Sequence, residues 1–169
     1  MSLPANNLES LAPAALGERL GELCRARAIN VTTAESCTGG GVACAITAVA
    51  GSSDYFETGY VTYSNAAKTR LLGVPGALIE RCGAVSREVV EAMVAGACRD
   101  SGAALGVAIS GVAGPGGGSE EKPVGTVWLA WGSHDQQQAE RHHFPGDREA
   151  IRHQAVQLAL AGLIARLER

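Results

Sequence analysis

Aromatic side chains are scarce in this 169-residue chain, where Phe, Trp and Tyr together make up 4%. A protein that binds single-stranded nucleic acid needs aromatic platforms for its bases, so that class is disfavoured. Basic charge is not in surplus either. Lys and Arg number 14 against 17 Asp and Glu, giving a net charge of -3. No basic stripe of the kind that phosphate-backbone binding demands is visible, and no nucleic-acid partner is expected. An anionic ligand would have to be held locally, by a few cations and backbone amides.

Metal-binding patterns are missing as well. The five cysteines (Cys24, Cys37, Cys44, Cys82 and Cys98) never show CxxC spacing, and the four histidines form neither HxxxH nor HExxH. No metal is expected. Thiols among small and apolar neighbours read as free and reduced. No basic segment leading into an apolar core opens the chain, and no apolar run reaches membrane-spanning length. The expected location is the cytoplasm, with no membrane partner.

What is present is small and aliphatic. Hydrophobic residues make up 46%, and 22 residues are glycine. That suits one domain with its own core, residues 1–169, with 1–7 as a loose arm. A helix is predicted from Pro13 to about Ile29, then a strand over 31–35. A helix from Thr38 to Gly51 follows, then a strand over 55–63. A short helix over 64–74 ends at Gly73, near Pro75. Ser86 is a good N-cap for a helix reaching Gly102, and 105–110 reads as a buried strand. A glycine-rich loop over 111–125 leads to strands at 126–131 and 139–144, and Asp147 caps a final helix. This alternation predicts an α/β fold, a three-layer α/β/α sandwich with a mixed, mostly parallel sheet.

The stretch TAESCTGGG, residues 33–41, falls where a strand gives way to a helix. Ligands in open α/β folds collect at the carboxyl ends of strands. The first N–H groups of a helix lack internal partners and carry partial positive charge. Such a turn can hold a phosphate or an oxyanion. Ser36 fits two roles here, nucleophile or helix cap. Cys37 is a rival nucleophile, but a catalytic thiol needs a histidine, and every histidine lies beyond position 133. Glu35 is either a general base or a brace for the turn's N–H groups.

A nucleophilic serine needs an activator, and GxSxG is absent. A lysine serves if burial or neighbouring cations pull its pKa of ~10.4 down. The chain has two lysines, Lys68 and Lys122, and uses arginine elsewhere. Lys68 follows VTYSN on the short helix, with Tyr63 and Ser64 close by. It is either that activator or an ordinary surface lysine. The glycine loop after Ser110 is either a tight connection or a ligand cradle. It matches neither GxGxxG nor GxxxxGK[ST]. Arg148, at the start of the final helix, is either a surface arginine or a ligand for phosphate or carboxylate.

TTAESCTGG, GSSDYFETGYVTYSNAAK, LLGV, GAVS, SGVAGPGGGSEEKPVGTVW and FPGDREAIR occur in this order. Together they resemble the C-terminal domain of the CinA (competence/damage-inducible) family, over about residues 10 to 165. The resemblance implies a Ser/Lys amidohydrolase, and for the stand-alone form an enzyme that deamidates nicotinamide mononucleotide in pyridine nucleotide salvage. It implies Ser36 as nucleophile, Lys68 as general base and acid, and Tyr63 as an active-site tyrosine. Cys37, Thr38, Gly39 and Gly40 would face the oxyanion or substrate, with the amides of 37–39 as donors. Ser110, Gly111, Gly114 and Arg148 match substrate-contact positions. No metal, no cofactor and a homo-oligomer are expected. The alternative is a pyridine-nucleotide-binding module without catalysis.

Overall fold

The computed structural model describes residues 5–169. Residues 1–4 of the expected arm lie outside the described residues. Residues 5–7 of it fall within a 3-10 helix, Ala5–Ser10. Leu8 explains this, because its side chain is buried in the same core as the final helix.

Helix α1 (Pro13–Arg27) starts at its proline, whose missing N–H costs nothing in a first helical turn. It buries Leu16, Leu20 and Cys24, one face of the helix. Strand β1 (Val31–Glu35) is buried throughout. Helix α2 (Gly41–Thr47) is shorter than the predicted 38–51. Gly39 and Gly40 have φ of 57° and 100°. A right-handed helix cannot contain such residues, so the turn holds on until Gly41.

Strand β2 spans Phe56–Val61, and α3 (Asn65–Leu72) is capped by Ser64 and ended by Gly73. Helix α4 (Gly76–Cys82) was not foreseen. Pro75-Gly76 reads as the end of one helix, but Pro75 stands at the N-cap of another. Helix α5 (Arg87–Ser101) is capped by Ser86, as expected. Strands β3 (Leu105–Gly111), β4 (Thr126–Gly132) and β5 (Gln137–His143) precede α6 (Arg148–Leu167). The last strand begins two residues earlier than predicted. At the sheet's edge it can start on polar glutamines, which the apolar pattern does not flag.

Among the described residues the strands form one sheet in the order β2-β1-β3-β4-β5. β1 runs parallel to both β2 and β3, whereas β4 is antiparallel to β3 and to β5. β4 alone therefore opposes the others, and the sheet is mixed but mostly parallel. Helices α1, α2 and α6 share one core with Val31, Ile109, Leu129 and Trp131. Helices α3, α4 and α5 share the other with Ala34, Ala108 and Ala130. The fold is the expected three-layer α/β/α sandwich. Alternate residues of each strand face opposite layers, which decides which helix a residue just past a strand end can meet.

Candidate active site

Ser36 is the first residue past β1. Its N–H donates to the Ile109 carbonyl at 3.0 Å, so it prolongs the ladder to β3 by one step. Glu35 pairs with Ile109, which puts Ser36 beside Ser110 on the neighbouring strand. Ser110 is buried. Both follow the alternation of Ala34 and Ala108, towards the α3–α5 layer.

Lys68 comes from that layer. The Ser64 hydroxyl accepts the Ala67 N–H at 3.0 Å and fixes the start of α3. One turn later the Lys68 side chain points inward, and the residue is 1% exposed. Its Nζ donates to the Thr62 carbonyl at 2.9 Å and lies 3.1 Å from Ser36 Oγ. Burial lowers the Lys68 pKa from its ordinary value, because the ammonium loses its hydration. The nearby Cys37 opposes this, but burial is the larger effect. No carboxylate forms an ion pair with Lys68 among the described residues. A neutral Nζ presents its lone pair to the Ser36 hydroxyl, and the pair can then pass a proton.

Glu35 is the brace rather than a base within reach of Ser36. Its Oε1 accepts the Val42 N–H at 2.9 Å, and its Oε2 accepts the Ala43 N–H at 3.1 Å. The carboxylate so caps α2. The Gly39 N–H donates to the Ser36 carbonyl at 3.0 Å, and the Gly41 N–H to the Thr38 carbonyl at 3.0 Å. The Gly39 amide is thus engaged inside the turn. Among the described residues the N–H groups of Cys37, Thr38 and Gly40 have no partner, which leaves Cys37 and Thr38 from the expected trio. Thr38 itself is buried, and its Oγ1 has no partner.

Cys37 makes a poor rival. Its thiol is buried, and the loss of solvent pushes its pKa up to about 11. A thiol at that value is protonated at neutral pH and is a weak nucleophile.

Arg148 binds two of the other predicted residues. Its Nη1 donates to the Gly114 carbonyl and its Nη2 to the Tyr63 hydroxyl, both at 3.0 Å. Tyr63 is 61% exposed and bonds neither Ser36 nor Lys68. Its hydroxyl is held by Arg148, and its chain neighbour Thr62 supplies the carbonyl that Lys68 Nζ meets. Gly111 ends β3 opposite Val127, and Gly40 caps α2 with its positive φ.

The sequence reading missed Arg152. One helical turn beyond Arg148, its Nε donates to the Cys37 carbonyl at 3.0 Å and its Nη2 to the Thr38 carbonyl at 3.3 Å. The available signal was the i, i+4 spacing, which places both arginines on one face of α6. Arg148 and Arg152 also line a cleft of about 830 Å³ with Ala113, Pro115 and Val124. That volume lies in the range of small-molecule sites. Ser36 and Lys68 do not line the cleft; Arg152 is the link between it and their turn.

The CinA C-terminal domain family matches residues 13–167. The nicotinamide-nucleotide amidohydrolase PncC of Pseudomonas putida is 64% identical over 149 residues, 88% of this chain and 93% of its own. The nicotinamide-nucleotide amidohydrolase PncC of Escherichia coli (strain K12) is 52% identical over 149 residues, covering 88% and 90%. Among solved structures, the competence/damage inducible protein CihA from Agrobacterium tumefaciens superposes with a TM-score of 0.88 at 41% identity, covering 100% of both chains. The competence damage-inducible protein A (ComA) of Klebsiella pneumoniae gives a TM-score of 0.91 at 38% identity, covering 94% of this chain and 99% of that one.

Proposed function

The chain belongs to the CinA C-terminal domain family, and from that premise we propose that it is an amidohydrolase converting nicotinamide mononucleotide to nicotinate mononucleotide and ammonia. The observation that carries the mechanism is the 3.1 Å approach of Lys68 Nζ to Ser36 Oγ, in buried surroundings that favour the neutral amine. The relatives named nicotinamide-nucleotide amidohydrolase support the substrate.

Neutral Lys68 takes the Ser36 proton as Oγ attacks the carboxamide carbon. The carbonyl oxygen becomes an oxyanion, received by the free N–H groups of Cys37 and Thr38. Each such donor is worth about 3 kcal/mol in hydrolases of this type. Lys68 then gives its proton to the amide nitrogen, the C–N bond breaks, and ammonia leaves. Water, deprotonated by Lys68, attacks the ester on Ser36 and releases the nicotinate product. The lysine ends neutral and the serine regains its hydrogen.

The substrate phosphate belongs at Arg148 and the glycine loop. A dianion beside Lys68 would raise the lysine's pKa and weaken it as a base. Tyr63, held by Arg148, contacts the bound nucleotide at the rim. No helix among the described residues is long and apolar enough to cross a membrane. The enzyme is proposed to work in the cytoplasm, in pyridine nucleotide salvage, as a homo-oligomer.

The test is ammonia release from nicotinamide mononucleotide by wild type, Ser36→Ala and Lys68→Ala. Turnover by the wild type and a loss of more than about 1,000-fold in each variant is expected, since removing a nucleophile or its base disables the relay. Tight nucleotide binding by a wild type that releases no ammonia would favour a binding module instead.

A further inference from the structure

We propose that Arg152 is a positioning residue, which aims the peptide groups of the Ser36 turn at the carbonyl under attack. The inference rests on Ser36 being the nucleophile. In a trans peptide the C=O and N–H point in opposite directions. Arg152 Nε holds the Cys37 carbonyl at 3.0 Å, so the Thr38 N–H of the same peptide faces the other way. Nη2 holds the Thr38 carbonyl at 3.3 Å, so the Gly39 N–H is turned back, where it meets the Ser36 carbonyl at 3.0 Å. That last bond orients the Cys37 N–H in turn. The free Cys37 and Thr38 amides are therefore set by a chain of bonds that begins at one guanidinium.

The turn needs such an anchor. Gly39 and Gly40 both sit at positive φ, and glycine gives the backbone freedom immediately after the peptides that matter. The guanidinium packs on this backbone: a Cβ added at Gly39 would stand 3.3 Å from Nη2. No carboxylate is ion-paired with Arg152 among the described residues. Its charge is therefore directed to the two carbonyls, which polarises the same peptides and strengthens their N–H donors.

The rival role is that of a phosphate ligand, because Arg152 also lines the cleft with Arg148. The two roles separate in kinetics. An arginine that aligns the oxyanion donors acts on kcat, whereas one that grips the ground-state substrate acts on KM.

The experiment compares wild type, Arg152→Ala, Arg152→Lys and Ser36→Ala in two assays. The first is steady-state ammonia release from nicotinamide mononucleotide across pH. The second is the rate at which an alkyl fluorophosphonate labels Ser36, which needs the same donors but not the natural substrate. Arg152→Ala is expected to lower kcat and the labelling rate by about 100-fold, the scale of a lost oxyanion donor. KM should stay within about threefold, and the pH at which activity rises should not move, because Lys68 is untouched. Arg152→Lys should recover part of both rates, since an ammonium can hold one carbonyl but not both. Arg152→Gln replaces the alanine variant if the latter does not fold.

A KM rise of tenfold or more with near-normal kcat would overturn the proposal in favour of substrate binding. Labelling of Arg152→Ala as fast as wild type would also overturn it. If the wild type is labelled at Ser36 yet releases no ammonia, the substrate reading fails and the labelling rates alone decide the role of Arg152. If the wild type is not labelled, the nucleophile and the positioning role fall together.

Discussion

At the scale of residues, the proposed chemistry depends on keeping one amine uncharged. Lys68 is buried without a carboxylate, and its pKa is lowered by that burial. The folded state therefore binds fewer protons at this site than the unfolded chain. Stability lost to Lys68 shrinks as pH rises towards the unfolded value of ~10.4, and grows as pH falls, down to the folded pKa. Lys68→Met should thus gain stability relative to wild type at pH 6 compared with pH 10. Paired thermal melts at the two pH values measure this. A difference in Tm that does not change with pH would contradict it. Ser36 and Lys68 stood out in the sequence as candidates, one in the turn after a strand and the other, one of two lysines, just past a strand end. Their proposed roles came from the family resemblance and not from the residues alone. The i, i+4 spacing of Arg152 from Arg148 was readable, but its grip on the Ser36 turn was not. The carbonyl it holds lies 115 residues earlier, and a backbone acceptor leaves no mark in the sequence.

At the scale of elements, the site is a meeting of two chain segments brought from opposite directions. The turn after β1 supplies the hydroxyl, and α3 supplies the amine. Helix α3 can come so close only because α5 has no side chain in the way. A Cβ added at Gly96 would lie 1.9 Å from the Leu72 carbonyl. Backbone cannot yield to it cheaply, so Gly96→Ala must push α3 outward. The expected cost is about 1–3 kcal/mol of stability. Because ~1 Å of misplacement can cost 100-fold in rate, kcat/KM should fall at least tenfold. Denaturant melts and ammonia release check the two effects, and an alanine variant with normal activity would refute the claim that this contact sets the position of Lys68. Strand β1 and the caps at Ser86 and Asp147 were plain in the sequence, since each has a local cause. The true start of α2 was hidden, because small residues look helical until the φ of Gly39 and Gly40 is known. Helix α4 was hidden behind a Pro-Gly pair that serves as its beginning.

At the scale of the whole molecule, the sheet order places β1 and β3 side by side with their carboxyl ends at one edge. Ligand sites in open α/β sheets lie at such edges, and here the edge joins both helical layers. α3 brings Lys68 from one side, and α6 brings Arg148 and Arg152 from the other. The layers could be anticipated from the alternation of helices and strands. The crossing of α6 to the β1 turn could not, because it depends on how the layers stack. A homo-oligomer should sediment as more than one 17.3 kDa chain at micromolar concentration; a single-chain species there would contradict that proposal. Val61, Tyr63 and Leu71 are the large exposed apolar residues among those described, and all belong to the segment that carries Lys68.

The central claim is that Lys68 can serve as a base near neutral pH, and NMR titration of its side chain tests that most directly. With two lysines in the chain, Lys122→Arg leaves one lysine signal, and it belongs to Lys68. The Lys68 Cε resonance should titrate well below the ~10.4 of a free lysine. Titration at the free value would mean the amine is charged when the serine needs it, and the mechanism would be wrong.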